Sequence, residues 1–196
     1  MPRAARLDQE TVLSAARRVF RAKGCHATVD EIASEVGMSG PALFKRFGTK
    51  QALMFEALRP AVSTDWLATV RAGPDGRPVD EQVLEISTGM ATWMGDIVPA
   101  MAVLRAAGHH PDVIFEEYGF PKPGVILGEL GAWLTRAAEG NRLRVDEPAV
   151  AAMTWLGALQ VRAFMTHLSP DRKPVMPLDP YVRHVCDQLM RGWALG

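Results

Sequence analysis

Thr28–Lys50 reads TVDEIASEVGMSGPALFKRFGTK. Thr28 is a residue type that caps helices, and Glu31 three positions on completes a capping box. Val29, Ile32, Ala33 and Val36 then recur at helical spacing. Gly37 takes a positive φ without steric cost, so a turn belongs there. Ser39 caps a second helix, and Pro41 falls in its first turn, where a missing N–H costs little. Ala33, Gly37 and Leu43 lie four and six apart. A small residue, a turn glycine and a buried leucine at that spacing predict a helix-turn-helix, the arrangement that lays its second helix in the DNA major groove.

In such a helix the N-terminal residues meet base edges, while basic side chains and helix N-termini hold phosphates. Leu43, Phe44 and Phe47 are expected to pack inward, leaving Gly40, Pro41, Ala42, Lys45 and Arg46 facing out. Thr49 reads as another cap, so the next helix presents free N–H groups beside Lys50, a phosphate clamp. The candidate DNA-binding set is therefore Thr28, Ser39, Gly40, Pro41, Ala42, Phe44, Lys45, Arg46, Thr49 and Lys50.

From about Val12 to Leu58 the chain resembles the TetR family of bacterial repressors. That family's run is F-x-x-x-G-[YF]-x-x-T, then I-A-x-x-x-G-V-S, then L-Y-x-[HY]-F-x-[SN]-K. Phe20, Gly24, Thr28, Ile32, Ala33, Gly37, Ser39, Leu43, Phe47, Thr49 and Lys50 match or nearly match it. Cys25 replaces the usual aromatic, Phe44 the usual Tyr, and Arg46 the usual His or Tyr. The Phe44 position thus lacks a hydroxyl that would reach a phosphate. Gly40, Pro41 and Ala42 offer few side-chain donors, so specificity falls to Lys45, Arg46, apolar contact with thymine methyls, or DNA shape.

The formal net charge is zero, which at first disfavours a DNA ligand. Its distribution favours one. Residues 1–59 hold 10 Lys and Arg against 6 Asp and Glu, and residues 60–196 hold 12 against 16. A +4 head on a −4 body orients the chain toward a polyanion. Cys25 and Cys186 form no metal or disulfide pattern. No leader-like segment and no run of 18 apolar residues occurs, so a cytoplasmic protein that does not engage the membrane is expected.

The expected class is all-α. A three-helix helix-turn-helix DNA-binding domain (1–50) precedes a helical effector-binding and dimerisation domain (51–196). Periodicity predicts helices over 8–23, 50–71 with a bend near Pro60, 79–94, 97–107, 121–138, 147–168 and 180–193, with a short turn at 112–118. The stretches 72–78 and 169–180 read as loops. Helix 147–168 is apolar on nearly every side, so part of its burial is expected from a second copy. The predicted dimer face is Trp155, Leu156, Leu159 and Phe164 with Val182, Val185, Leu189 and Trp193. Two helices from each chain would form a four-helix interface, which agrees with how TetR-like proteins dimerise.

Met90, Trp93, Met94, Met101, Arg105, Phe115, Tyr118 and Trp133 are the candidate effector-binding residues, because methionine adapts to varied apolar ligands and the resemblance places an effector in this region. Thr92, Gln160 and His167 add polar groups. His109 and His110 lack further ligands at metal spacing and read as the close of a helix, so no metal and no cofactor is expected. No nucleophile elbow, P-loop or Rossmann fingerprint is present, which argues against an enzyme. The expected partners are double-stranded operator DNA, a second copy and a small effector. The expected function is a homodimeric repressor released from a palindrome by a largely apolar effector. An activator, or a helical regulator or adaptor without an effector, is the alternative.

Overall fold

The computed structural model describes residues 8–60, 64–169, 171, 173–174 and 176–193. Every regular element among them is helical. The helices are α1 (Gln9–Lys23), α2 (Val29–Val36), α3 (Gly40–Phe47), α4 (Lys50–Leu58), α5 (Asp65–Ala72), α6 (Val79–Ala106), α7 (Pro111–Tyr118), α8 (Pro123–Glu139), α9 (Pro148–Leu168) and α10 (Leu178–Trp193), with a 3-10 turn at Gly24–His26.

Two expectations are corrected. The helix predicted over 50–71 is two helices. Arg59 leaves the helical region (φ −55°, ψ 124°) because it precedes Pro60, whose ring disfavours α geometry in the residue before it. Residues 61–63 of that expected helix lie outside the described set, as do 170, 172 and 175 of the expected loop 169–180. Conversely, the two helices predicted over 79–94 and 97–107 are one. The helix runs through Pro99, despite a cost of about 3 kcal/mol or more for an interior proline. Ile97, Ala100, Val103 and Leu104 are buried on both sides of that proline, which favours continuing the helix.

The chain divides into two compact units. The first holds residues up to Arg59 together with Ala100–Tyr118; the second holds Pro60–Pro99 and the residues from Gly119 onward. Helix α6 therefore supplies residues to both.

In the first unit α1 packs on α2 and α4, and α3 packs on α2 and α4. Val12, Ala16, Phe20, Ile32, Leu43 and Leu53 bury the apolar stripes that their spacing predicts. Arg17 closes the end of α4: its Nε donates to the Ala57 carbonyl at 2.7 Å. A cation at a helix C-terminus also meets the negative end of the dipole. Arg59 Nη2 donates to the Glu117 carbonyl at 3.0 Å and its guanidinium lies 5.0 Å from the Tyr118 ring. The Tyr118 hydroxyl donates back to the Phe55 carbonyl at 3.0 Å. Helices α4 and α7 are thus tied at two points.

In the second unit α8 packs on α9 and α5, and α10 packs on α9. Trp133, Trp155 and Trp193 form a chain of edge-on ring contacts 5.7–5.8 Å apart. Trp155 Nε1 donates to Ser87 Oγ at 2.8 Å, both residues fully buried. Buried Gln82 holds the loop before α6, accepting from Asp75 N at 2.9 Å and donating to the Arg77 carbonyl at 2.9 Å. Arg142 also donates to the Asp75 and Arg77 carbonyls.

Candidate nucleic-acid interface

Side-chain caps at Thr28, Ser39 and Thr49 start the helices of the motif. Thr28 Oγ1 accepts from Glu31 N at 3.2 Å, and a Glu31 carboxylate oxygen accepts from Thr28 N at 2.9 Å, so the capping box is complete. Ser39 Oγ accepts from Ala42 N at 3.3 Å, and Thr49 Oγ1 accepts from Ala52 N at 3.0 Å. Each cap fixes where a helix begins and is worth about 1 kcal/mol. The Lys23 ammonium, 2.6 Å from Glu31, and then the Thr28 N–H hold the Glu31 carboxyl down to about 2.

The turn between α2 and α3 rests on Gly37, at φ 72° and ψ 31°. Gly37 N donates to the Ser34 carbonyl at 3.2 Å and Met38 N to that of Ala33 at 2.9 Å. These are the two bonds that close a helix through a left-handed residue. With no Cβ to oppose that conformation, the chain reverses within Gly37–Ser39 and sends α3 across α2.

On α3, Leu43 and Phe47 are buried, while Pro41, Phe44, Lys45 and Arg46 are exposed. This corrects the expectation that Phe44 packs inward: the residue is 48% exposed. An eight-residue helix has a narrow buried stripe, and Leu43 with Phe47 at i, i+4 already fills it. Ala42 and Gly40 are half-buried. A Cβ at Gly40 would stand 3.3 Å from an Asp30 carboxylate oxygen, so this glycine serves the close approach of α2 and α3.

Lys50 is only partly exposed, and its Nζ donates to the Cys25 carbonyl at 2.7 Å. The ammonium ties α4 to the 3-10 turn and keeps two further donors. Arg46 lies 5.5 Å from the Phe47 ring. The head therefore presents a capped, short helix whose outer surface is apolar at its start and basic at its end.

The other candidate residues fall differently. Met90, Trp93, Met94 and Trp133 are buried in the second unit, with Trp93 ring-to-ring against Trp66 at 5.9 Å and Phe120 at 5.8 Å. Met101, Arg105, Phe115 and Tyr118 belong to the first unit. Tyr118 is engaged with Phe55 and Arg59; burial raises its phenol above the ordinary tyrosine value, so it remains a donor. Arg105 is exposed and donates to the His109 carbonyl at 2.8 Å. His109 sets its ring edge-on to Phe55 at 4.6 Å.

The residues of the predicted dimer face lie mostly inside the chain. Trp155, Leu156, Leu159, Val182, Leu189 and Trp193 are buried within this chain, and Val185 is half-buried. Of the eight, Phe164 alone is exposed. The opposite face of α9 carries the exposed apolar residues Val150, Met153, Val161, Phe164, Met165 and Leu168, each 47–62% exposed. The two stripes lie roughly 150° apart around the helix. Sequence periodicity identified a helix apolar on two faces but not which face the chain covers itself.

Comparison with known proteins agrees with this geometry. Residues 12–57 match the family described as bacterial regulatory proteins, tetR family. Over 82 residues the chain is 33% identical to the HTH-type transcriptional repressor BdcR of Escherichia coli (strain K12); the match covers 41% of this chain and 42% of that repressor, less than half the relative's length. Among solved structures, a TetR-like transcriptional regulator from Rhodococcus sp. RHA1 superposes with a TM-score of 0.64 at 19% identity, covering 98% of this chain and 97% of that one. The TetR-family transcriptional regulator PfmR from Thermus thermophilus gives 0.62 at 21% identity, covering 94% and 98%. SmeT, the repressor of the Stenotrophomonas maltophilia multidrug efflux pump SmeDEF, gives 0.60 at 15% identity, covering 96% and 91%. Residues 12–57 thus match the helix-turn-helix head of the tetR family, and the chain shares its helical fold with TetR-like regulators across nearly its whole length.

Proposed function

We propose that the chain is a transcriptional repressor that binds palindromic operator DNA as a homodimer and is released by a small effector. The observation that carries this reading is the head's short, capped α3, with Pro41, Phe44, Lys45 and Arg46 on its outer surface. Those side chains have the size and charge to enter a major groove while the caps hold the helix rigid. The name of the Escherichia coli relative, a transcriptional repressor, supports the sign of regulation.

The outward stripe of α9 supports the homodimer. Its residues recur at near-heptad spacing from Val150 to Leu168, with Gly157 in the middle, where a second helix would approach closely. A dimer places two heads about 34–36 Å apart, or a multiple of that, as half-sites on one DNA face require. The exposed surface of α10 is polar at Arg183, His184, Asp187 and Gln188, so α9 is the centre of this interface.

The effector reading rests on the second unit. The indole N–H groups of Trp66, Trp93 and Trp133 are buried and find no acceptor among the described residues. A buried donor left without an acceptor costs about 1–3 kcal/mol. A largely apolar ligand that carries acceptor oxygens would recover part of that cost. Because α6 supplies both units, an effector that distinguishes two conformations of the second unit has a continuous helix through which to act on the first. The ligand shifts that equilibrium only by its differential affinity for the two states. This reading places the protein in the cytoplasm with the chromosome. Among the described residues no helix is long and apolar enough to cross a membrane.

The test is selection of genomic DNA fragments on the purified protein at near-physiological salt, read by sequencing. Enrichment of one palindrome, bound at a ratio of two chains per site, is the expected result. Absence of any enriched sequence from a folded, dimeric protein would refute the operator reading. For the effector, operator affinity is measured with and without each compound of an acceptor-bearing aromatic panel; no change across the panel counts against release by such ligands.

A further inference from the structure

The outer surface of α3 has an uneven chemistry. Its first three residues, Gly40, Pro41 and Ala42, carry no side-chain donor or acceptor. Pro41 and Phe44, at i and i+3, are exposed on one face. The Phe44 ring is nearly half in water. Beside Phe44 lies a small apolar crevice formed with Val29, Leu43, Phe47 and Leu53 and edged by Thr49 and Lys50. It holds about 10 Å³, barely the room that one water molecule needs.

Of the four bases, only thymine presents an apolar group in the major groove, its C5-methyl. Phe44 neither donates nor accepts a hydrogen bond through its side chain, and Pro41 offers no backbone N–H. Neither can read guanine, adenine or cytosine by pairing groups. Lys45 and Arg46 on the same helix and Lys50 at the crevice edge supply the positive charge that brings a duplex to this surface.

We propose that Pro41 and Phe44 are specificity-determining residues that recognise the C5-methyl of a thymine in each operator half-site. The proposal rests on the operator reading above and adds the base chemistry that this surface selects. Burying one methyl is worth about a fourfold change in affinity, and a palindrome that loses both methyls changes by about sixteenfold.

The experiment uses the enriched palindrome as a labelled duplex and the full-length protein. Each thymine is replaced in turn by deoxyuridine, which removes the methyl and leaves every pairing group. The expected result is one thymine per half-site whose replacement weakens binding about fourfold. Phe44→Ala is expected to abolish the preference for thymine over deoxyuridine at that position. It should leave the dependence of affinity on salt unchanged, because the phosphate contacts remain. Circular dichroism confirms folding, and the deoxyuridine series tests the idea on the unaltered protein. An operator in which no thymine responds to loss of its methyl overturns the proposal while leaving the operator reading intact. So does a Phe44→Ala protein that keeps the preference. Failure to enrich any sequence overturns both.

Discussion

Phe164→Glu is the sharpest probe of the proposed α9 interface. Phe164 is 48% exposed. An aromatic side chain carries about 150–250 Å² of surface, so roughly 100 Å² is free in each copy. At about 25 cal/mol per Å², burying that area contributes ~2.5 kcal/mol per chain and ~5 kcal/mol per dimer. A carboxylate in its place forfeits this and adds the cost of desolvating a charge. Since ~1.4 kcal/mol is tenfold in an equilibrium constant, the dimer dissociation constant should rise by at least about three decades. Sedimentation velocity over a wide protein concentration range reads that shift. Gly157→Leu is a second probe with an opposite signature in the monomer. A Cβ at Gly157 meets nothing within 4 Å, and leucine is the better helix former by close to ~1 kcal/mol. The variant should melt no lower as a monomer, yet dimerise more weakly. Gln188→Glu, on the polar face of α10, should change neither quantity. A folded Phe164→Glu protein that remains dimeric at the wild-type concentration would refute the assignment of this face.

Gly37→Ala forces a side chain into a left-handed conformation with no clash around it, so the whole cost is backbone, about 1–2 kcal/mol, read as a lower urea midpoint. The Glu31 carboxyl should titrate near 2 when followed by carboxyl chemical shift. Because its folded value lies below the ordinary 4.5, its stabilising contribution is present above pH 4.5 and fades as the pH falls toward 2; Glu31→Gln should flatten the stability profile in that window. Burial raises the Cys186 thiol, whereas Cys25 is half-exposed. A thiol reagent at neutral pH should therefore label Cys25 quickly and Cys186 only on unfolding, and equal rates would contradict the placement of α10. Ser87→Ala removes the acceptor of the buried Trp155 N–H and should cost about 1–3 kcal/mol by thermal or urea melting; in a Trp155→Phe background the same change should cost far less.

The head was legible because its determinants are local. Caps at Thr28, Ser39 and Thr49 and the turn at Gly37 act within a few residues, and each is found where the chain chemistry put it. Helix interiors were legible as periodicity. The breaks were less so, since they depend on competition between local and tertiary terms. Pro60 ends a helix at its N-terminal neighbour, whereas Pro99 sits inside one whose flanks are buried. The same residue type gave opposite outcomes because burial along α6 offsets the lost hydrogen bond and no comparable apolar run spans residues 59–64. The Arg17, Arg59 and Tyr118 ties between α4, α1 and α7 left no periodic trace, because each joins residues 40 or more positions apart through a side chain and a backbone carbonyl.

Phe44 and α9 share a physical cause for their misassignment. Burial is the most favourable state of an apolar residue in water, and from that alone Phe44 is expected inside the head and Trp155, Leu156 and Leu159 against a second copy. That inference holds for the assembled species, not for one chain. Leu43 and Phe47 fill the stripe of α3, and Ala152, Trp155, Leu156, Leu159 and Ala163 fill the inward stripe of α9. Once the interior is complete, a further apolar side chain remains in water; singly that is ordinary, whereas contiguous residues of this kind mark a partner surface. The residues that overflow the core are thus the ones that carry information about partners. On α9 they form a stripe of six residues, the dimension of another helix. On α3 only Phe44 and its neighbour Pro41 overflow, beside lysine and arginine, the dimension of a base edge within a charged groove. Sequence periodicity counts apolar positions; subtracting those the chain itself buries leaves, beside isolated residues such as Val113 and Val125, the positions that the proposed reading gives to DNA and to a second copy.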